Sequence, residues 1–324
     1  MNTPLWFSNL IFWSAQVVVL VLAAAFLPRL LGIRQPRVLL LYWRALLAIG
    51  LLLPAIEPWH RLPSVAAMVL VPDVAAVQLL PAVNPAVSHW HFPSLQVLAQ
   101  ILGVVILVGI AARFLILAMG LLRLGQLRQS SSPISLFAES AAVLDRMRTR
   151  VNSSAEFRLS PHVDSPVTFG FAAPVVLLPE RFPFMNAKFQ ATIACHELLH
   201  VQRHDWMHHL AEEGVRAVLW FHPAVSWLIA RIRLAREQVV DLEVIRLTQE
   251  RKSYLEALLE FATGRSPAAP IPAPPFLSER QLPERVALML KEVRMSRGRL
   301  MVCFAIARNW ARFLVIWNSM MMSS

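Results

Sequence analysis

Three long apolar runs dominate the first 122 residues and predict helices that cross a membrane. Residues 5–27 contain no charged side chain and are long enough to span a bilayer. Two further runs, about 38–56 and 95–122, each carry one arginine, Arg44 and Arg113, which we expect to face the helix bundle or to snorkel. A cleaved signal peptide is the alternative for the first run. No basic residue precedes that run and arginines follow it, so we interpret it as a retained span.

The arginines of the connecting segments predict the orientation of these spans. The connection after the first run carries Arg29, Arg34 and Arg37 and no acidic residue, whereas the loop 54–94 carries few charges. Cytoplasmic loops carry the excess of Lys and Arg, so the loop 54–94 is predicted to lie outside and the segment 123–299 inside. The sequence therefore predicts a multi-pass protein of the cell inner (cytoplasmic) membrane with a cytoplasmic central segment.

The end of the chain contains a fourth apolar run, residues 300–317, interrupted by Arg308 and Arg312. These arginines are four residues apart and share one helix face, so the run is either a fourth span or an amphipathic helix at the interface. The basic residues before it favour the span. Residues 266–275 are rich in proline and predict a stiff linker, so we assign 266–299 to a linker and basic juxtamembrane segment.

Composition supports a membrane protein and argues against a nucleic-acid-binding one. The chain is 56% hydrophobic, and its net charge is +11. Residues 123–299 contain 23 Lys and Arg against 18 Asp and Glu, so the central segment is only mildly basic. The remaining excess lies around the apolar runs. Direct binding of nucleic acid is therefore not expected, and the lipid bilayer is the partner that composition indicates. The two cysteines give no disulfide framework.

The central segment, residues 123–265, predicts a small α+β domain. Residues 157–182 are rich in β-branched and aromatic residues between Pro and Gly, which favours a small sheet, whereas residues 186–249 have helical periodicity. The apolar stretch 215–232 contains two arginines, a histidine and a proline, so it is predicted to form core or to rest against the membrane rather than to cross it. The fold class is a mainly α membrane protein with this domain on the inner side.

The stretch His196-Glu197-Leu198-Leu199-His200 carries the candidate chemistry. Histidines four residues apart on a helix point the same way, so both imidazoles can bind one zinc ion. Glu197 lies about 100° round the helix, where its carboxylate can take a proton from a water molecule that attacks a peptide carbonyl. The pattern therefore predicts the Zn2+ site of a metallopeptidase with Glu197 as the base.

A catalytic zinc site usually has three protein ligands, and the third must come from elsewhere. His204 lies about 12 Å along the helix from His196, too far for one ion. The pattern HExxHxxGxxH is also excluded, because Arg203 and Trp206 occupy its Gly and His positions. A carboxylate from a later helix remains. Glu237 fits, and Asp241 lies one turn further on, where it can hydrogen-bond a ligating histidine. Cys195 is interpreted as a small buried residue.

The motifs SPVTFGFAAPVVLLPERF, CHELLHVQRHDW, LWFHPAVSWL, REQVVDLEV and SYLEALL resemble those of the BlaR/MecR-type family of membrane-bound metallopeptidases. This resemblance implies a gluzincin-like domain between the third and fourth spans, with zinc ligands His196, His200 and Glu237, base Glu197 and supporting acid Asp241. Asp205 falls on a recurrent acid of the motif and is a candidate structural partner. Many relatives have a Cys-Asp-Asp sequence where this chain has Val240-Asp241-Leu242. We expect no counterpart of the penicillin-binding domain that the β-lactam sensors carry after the fourth span, so the resemblance does not imply β-lactam sensing.

The function that the resemblance implies is cleavage of a cytoplasmic regulatory protein, such as a transcriptional repressor, in a signalling circuit. We expect the signal to come from a membrane sensor partner or from the bilayer itself. A housekeeping membrane-protein quality-control protease and a non-catalytic signalling scaffold with an idle zinc site are the alternatives. The intact Glu197 argues against the scaffold. We expect the substrate to pair as an extended peptide with an exposed strand, for which Val167–Phe171 and Val175–Leu178 are the candidates.

Overall fold

The computed structural model describes residues 4–56, 94–134, 137–263 and 281–290, and these residues are mainly helical. The helices are α1 Leu5–Leu30, α2 Pro36–Ile56, α3 Leu95–Gln129, α4 Ala138–Val151, α5 Ala187–Gln202, α6 Asp205–Val218, α7 Pro223–Thr248, α8 Arg251–Thr263 and α9 Leu282–Met289. The strands are β1 Ser132–Pro133, β2 Glu156–Ser160, β3 Val167–Phe169 and β4 Val175–Pro179. The outer loop, the proline-rich linker and the fourth apolar run lie outside the described residues.

Helices α1, α2 and α3 are long and apolar enough to cross a membrane, as the sequence predicts. Their large side chains are widely exposed, as lipid-facing positions require. Arg44 of α2 faces α6 and α7, where Asp205, Glu212 and Arg236 are its electrostatic neighbours. Arg113 is exposed on α3. Arg44 thus faces the bundle, the first of the two alternatives.

The sheet has the order β1-β2-β4-β3 and confirms the predicted small sheet. Strand β4 is buried along its whole length and pairs in parallel with β2 and in antiparallel with β3. The prediction that Val175–Leu178 is an exposed strand is therefore wrong, because a central strand uses both edges in the sheet. Strand β3 lies at the edge, and among the described strands it pairs with β4 alone. It is shorter than predicted because Gly170 turns the chain with φ +94.

Helix α7 joins two hydrophobic cores. Its first half packs with α1 and α2, where Leu228 and Ile232 contact a cluster that includes Val21 and Trp43. Its second half contributes Val240 to the core of the α+β domain, which also contains residues of α4, β2, β4, α5, α8 and α9. The predicted stretch 215–232 is thus packed core against the apolar helices.

The turn between α6 and α7 contacts α1 and α3. Trp220 donates a hydrogen bond from Nε1 to the carbonyl of Ile106 at 3.3 Å, and its ring lies so close to Gly109 that a Cβ at that position would clash with the ring. His222 caps α7 by accepting from the Val225 amide at 3.3 Å. The α6–α7 hairpin therefore lies beside the apolar helices, and the same hairpin positions part of the candidate site.

Candidate metal site

Helix α5 places the two histidines of the motif on one face. The helix begins after Asn186, whose side chain accepts a hydrogen bond from the Lys188 amide at 2.9 Å. His196 and His200 are one turn apart, and their Nε2 atoms are 3.0 Å from each other. His196 is fully buried, whereas 15% of the His200 side chain is exposed. The pair therefore opens to solvent on the His200 side.

Glu237 of α7 completes a three-residue cluster with these histidines. Its Oε2 is 3.5 Å from His196 Nε2, and its Oε1 is 3.6 Å from His200 Nε2. One potential ligand atom from each of the three residues lies within 4.8 Å of the other two. The structure thus brings together the three residues that the sequence selects. Cys195, next in sequence, is buried in the core, where burial raises its pKa to about 12, so it remains a protonated thiol.

Asp205 and Tyr254 hydrogen-bond to the Nδ1 atoms of His200 and His196, on the side of each ring away from the cluster. Asp205 lies 2.9 Å from Nδ1 of His200, and the Tyr254 hydroxyl lies 2.7 Å from Nδ1 of His196. The same hydroxyl donates to Asp241 at 2.7 Å, so its oxygen is free to accept from the His196 ring. With a proton on each Nδ1, both Nε2 atoms direct a lone pair toward the same point. Such an arrangement is stabilised by a cation.

Asp241 supports the cluster by a route that the sequence does not reveal. Its Oδ1 is 3.7 Å from His196 Nδ1, and Tyr254 bridges the two groups. The Arg285 guanidinium of α9 donates two hydrogen bonds to the same carboxylate, from Nε at 2.9 Å and from Nη2 at 2.7 Å. Nη1 of Arg285 also lies 3.3 Å from Glu237 Oε2. Asp241 therefore acts on the histidine through Tyr254, and Arg285 ties it to the third member of the cluster.

The electrostatics of the cluster suit a cation. Burial opposes protonation of His200, but the carboxylates of Glu237 and Asp205 outweigh it and raise the pKa of His200 to about 9. Burial would raise the pKa of Glu237, yet His200 and Arg285 hold it well below its usual value. Glu237 Oε2 is buried and makes no hydrogen bond within the described part of the chain. A metal ion fits this donor set, since it would take the place of the His200 proton and satisfy this oxygen.

Glu197 lies beside the cluster with its carboxylate oriented by a strand. It is 3% exposed, and its Oε2 accepts a hydrogen bond from the Thr168 hydroxyl of β3. Since Glu197 projects from α5 about 100° away from His196, it is not one of the three clustered groups. One carboxylate oxygen is fixed by Thr168, which leaves the other for a water molecule. The arrangement can therefore remove a proton from a nucleophile at the cluster.

A groove of about 300 Å³ is lined by His200 of the cluster and by Thr168 of β3. Gly170, Phe171 and Trp206 also line it. His204, excluded as a ligand by distance, begins α6 with a φ of 53 and also lines this groove. The groove therefore gives an extended peptide access to both the edge strand and the cluster.

No role was predicted from the sequence for three residues of this site: Thr168, Tyr254 and Arg285. Tyr254 is one of only two tyrosines in the chain and lies within the motif SYLEALL, which is the one sign that could have indicated it. Arg285 lies within the segment predicted as a linker and juxtamembrane segment. In the structure α9 packs against the domain core, and Arg285 is 1% exposed.

Comparisons with known proteins show the family of the chain. The family described as BlaR1 peptidase M56 matches residues 65–289 of the chain. The regulatory protein BlaR1 of Bacillus licheniformis is 30% identical over 107 residues, a region that covers 32% of this chain. The matched region spans only 18% of the length of that relative.

Proposed function

Since the chain belongs to the BlaR1 peptidase M56 family, we propose that it is an integral-membrane zinc endopeptidase that cleaves a cytoplasmic regulatory protein of the repressor type in a signalling circuit. The observation that carries this proposal is the convergence of His196, His200 and Glu237 beside the buried carboxylate of Glu197. A site that only stabilises a fold has no need of a base beside its ligands. The Bacillus licheniformis relative is named as a regulatory protein, which supports a regulatory role.

The residues around the cluster can perform hydrolysis of a peptide bond. His196, His200 and Glu237 would hold a zinc ion, which would supply a Lewis acid able to polarise a carbonyl and to make water more acidic. Glu197 accepts the proton of the attacking water and delivers it to the leaving amine. Thr168 holds that carboxylate in place. Asp205 and Tyr254 hydrogen-bond to the Nδ1 atoms of His200 and His196 and so limit rotation of the two imidazoles, which keeps both Nε2 atoms directed at one point.

The substrate would bind as an extended strand along β3. The outer side of this strand has no strand partner among the described residues, and its Thr168 lines the groove that reaches His200. Backbone groups at a free sheet edge bind a peptide by adding it as another strand. Such pairing places the peptide carbonyls beside the cluster without requiring a particular side chain at each position. The expected cleavage region is therefore a segment of the substrate protein that becomes extended when the substrate binds.

Replacing Glu237 by alanine should remove zinc from the protein. The full chain, purified in detergent, is expected to contain one zinc per molecule by elemental analysis. The variant should bind zinc at least about 100-fold more weakly, because even partners outside the ligand set change affinity by 10–100-fold. The matched control is Glu243→Ala on the same helix, whose side chain pairs with Arg37 at 2.7 Å and lies away from the cluster. Full zinc occupancy in Glu237→Ala would contradict the assignment of the third ligand.

The proposed domain arrangement places residues 123–299 on the cytoplasmic side with the α6–α7 hairpin beside the spans, the loop 54–94 outside and residues 300–317 across the membrane. It rests on the arginines around the short connection between α1 and α2. Single cysteines introduced at positions 130 and 75, in a chain without its native cysteines, test it. A reagent that does not cross membranes should label position 75 in intact cells and label position 130 only after lysis. The reverse pattern would overturn the topology.

A further inference from the structure

A second cavity lies away from the metal cluster, where the end of α1, the α1–α2 connection and α7 meet. Its volume is about 340 Å³. Three arginines line it, Arg29, Arg34 and Arg231, together with the rings of Trp43 and Trp227. The two rings pack edge to face with centroids 5.5 Å apart. The cavity therefore combines a positive opening with an aromatic wall.

The positive charge of this cavity is not neutralised by the protein around it. No acidic side chain is among its lining residues. Arg29 and Arg34 are exposed and form no ion pair with any described residue. Arg231 lies over the Trp227 ring at 6.0 Å and has an exposed partner in Glu284 of α9 at 3.2 Å. Two guanidinium groups are thus available to an anion from outside, and a third is shared with a solvent-exposed carboxylate.

The position of the cavity along the apolar helices indicates what kind of anion it meets. Arg29 lies in the last turn of α1, and Arg34 follows in the connection to α2, so both lie where two membrane-spanning helices end. Phe26 and Leu30, on either side of Arg29, are 65% and 83% exposed. Such apolar exposure at a helix end is accommodated by acyl chains. Headgroup phosphates lie at the same level, and tryptophan rings are enriched there.

We propose that this cavity binds the headgroup of an anionic phospholipid, with its phosphate between Arg29, Arg34 and Arg231. The rings of Trp43 and Trp227 pack against the glycerol and upper acyl chain. Basic cavities between membrane helices on the cytoplasmic side recognise acidic headgroups, and each arginine near the surface contributes about 1 kcal/mol. A free phosphate ion would meet the same arginines but would leave the aromatic wall uncovered. This site is independent of peptidase activity, so it stands or falls separately from the proposed function.

The test is native mass spectrometry of the full chain in detergent, titrated with phosphatidylglycerol or with phosphatidylcholine of the same acyl composition. The protein should prefer phosphatidylglycerol. Arg34→Gln and Arg29→Gln should each weaken its binding about fivefold, the ratio that corresponds to about 1 kcal/mol. Both side chains are exposed, so the variants are expected to fold. The matched control is Arg123→Gln, an exposed arginine at the end of α3 that lies outside the cavity and should bind as the wild type does.

Two results would overturn the proposal. The first is diffuse attraction instead of a site. It would be seen as equal affinity for the two lipids, or as an equal loss of phosphatidylglycerol affinity in Arg34→Gln and Arg123→Gln. The second comes from inorganic phosphate added as a competitor. If it displaces phosphatidylglycerol at equimolar concentration, and if its own binding is lost in Arg34→Gln, the cavity is a site for free phosphate and the lipid assignment is wrong.

Discussion

Glu197→Gln is expected to lower the rate of peptide-bond cleavage by about 10²–10⁴-fold, the usual contribution of a general base. Glutamine keeps the size of the side chain and the contact with Thr168 but cannot accept the proton. Zinc content should stay at the wild-type level, because Glu197 does not belong to the cluster of His196, His200 and Glu237. The measurement is quantitative proteomics of cells that express the wild type or the variant, with elemental analysis of the purified proteins. Intact substrate should accumulate in the variant, in part as a trapped complex.

The control for this experiment is Glu243→Gln, which also removes one carboxylate from a helix of the domain. It should cleave like the wild type. Loss of zinc from Glu197→Gln would mean that the side chain is a ligand and would contradict the assigned role. If Glu197→Gln cells contain the same cytoplasmic and membrane protein fragments as wild-type cells under every stress applied, the protein is not the proposed protease. The alternative function, a non-catalytic signalling scaffold, would then replace the proposed protease function.

Arg285→Met should reduce the stability of the folded protein by about 3–5 kcal/mol, the typical cost of breaking a buried ion pair from one side. The Asp241 carboxylate is fully buried and receives two hydrogen bonds from Arg285, which the apolar side chain cannot replace. Zinc affinity should also fall by about 10–100-fold, because Asp241 and Tyr254 orient His196 from behind. Thermal unfolding in detergent and zinc titration measure the two effects. Arg285→Lys should recover part of the stability, since it keeps the charge but not the paired hydrogen bonds.

Arg246→Met is the matched control on the domain surface. Arg246 pairs with Glu243 at 3.6 Å, and 73% of its side chain is exposed, so its loss should change stability by no more than about 1 kcal/mol. Equal melting temperatures for Arg285→Met and Arg246→Met would show that α9 does not hold the site together. A destabilised Arg285→Met protein with unchanged zinc affinity would show that Arg285 supports the fold alone.

The sequence predicts those parts of the site whose geometry is local. His196 and His200 are one helical turn apart, so their convergence follows from the helix alone. Glu237 required an additional argument, in which the distance to His204 and the residues at positions 203 and 206 removed the alternatives. The central position of β4 was not predictable, because a hydrophobic run of five residues looks the same at the edge and in the middle of a sheet. Pairing partners decide it, and these are far apart in sequence.

The residues that support the site from behind, Tyr254 and Arg285, were not predicted for a related reason. Tyr254 and Arg285 approach the cluster from helices 58 and 89 residues after His196, and neither belongs to a pattern with a fixed spacing. Arg285 also follows a proline-rich segment, which suggested that the folded domain had ended. A single buried arginine in a short helix has no periodic signature. Only the packing of α9 against α7 shows that this charge lies beside Asp241.

Helix α7 continues without a break from the apolar helices to the cluster, so a tilt of the helix at one end displaces the other end by a distance that can be calculated. Val225, packed among α1 and α2, and Glu237 are separated by twelve residues, about 18 Å at 1.5 Å per residue. A tilt of about 3° about the end at Val225 would shift the Glu237 carboxylate by about 1 Å over this length. A misplacement of about 1 Å is enough to cost about 10²-fold in rate. A rearrangement of α1 and α2 that tilts α7 by this small angle would therefore be sufficient to change the rate at the proposed site by about 10²-fold.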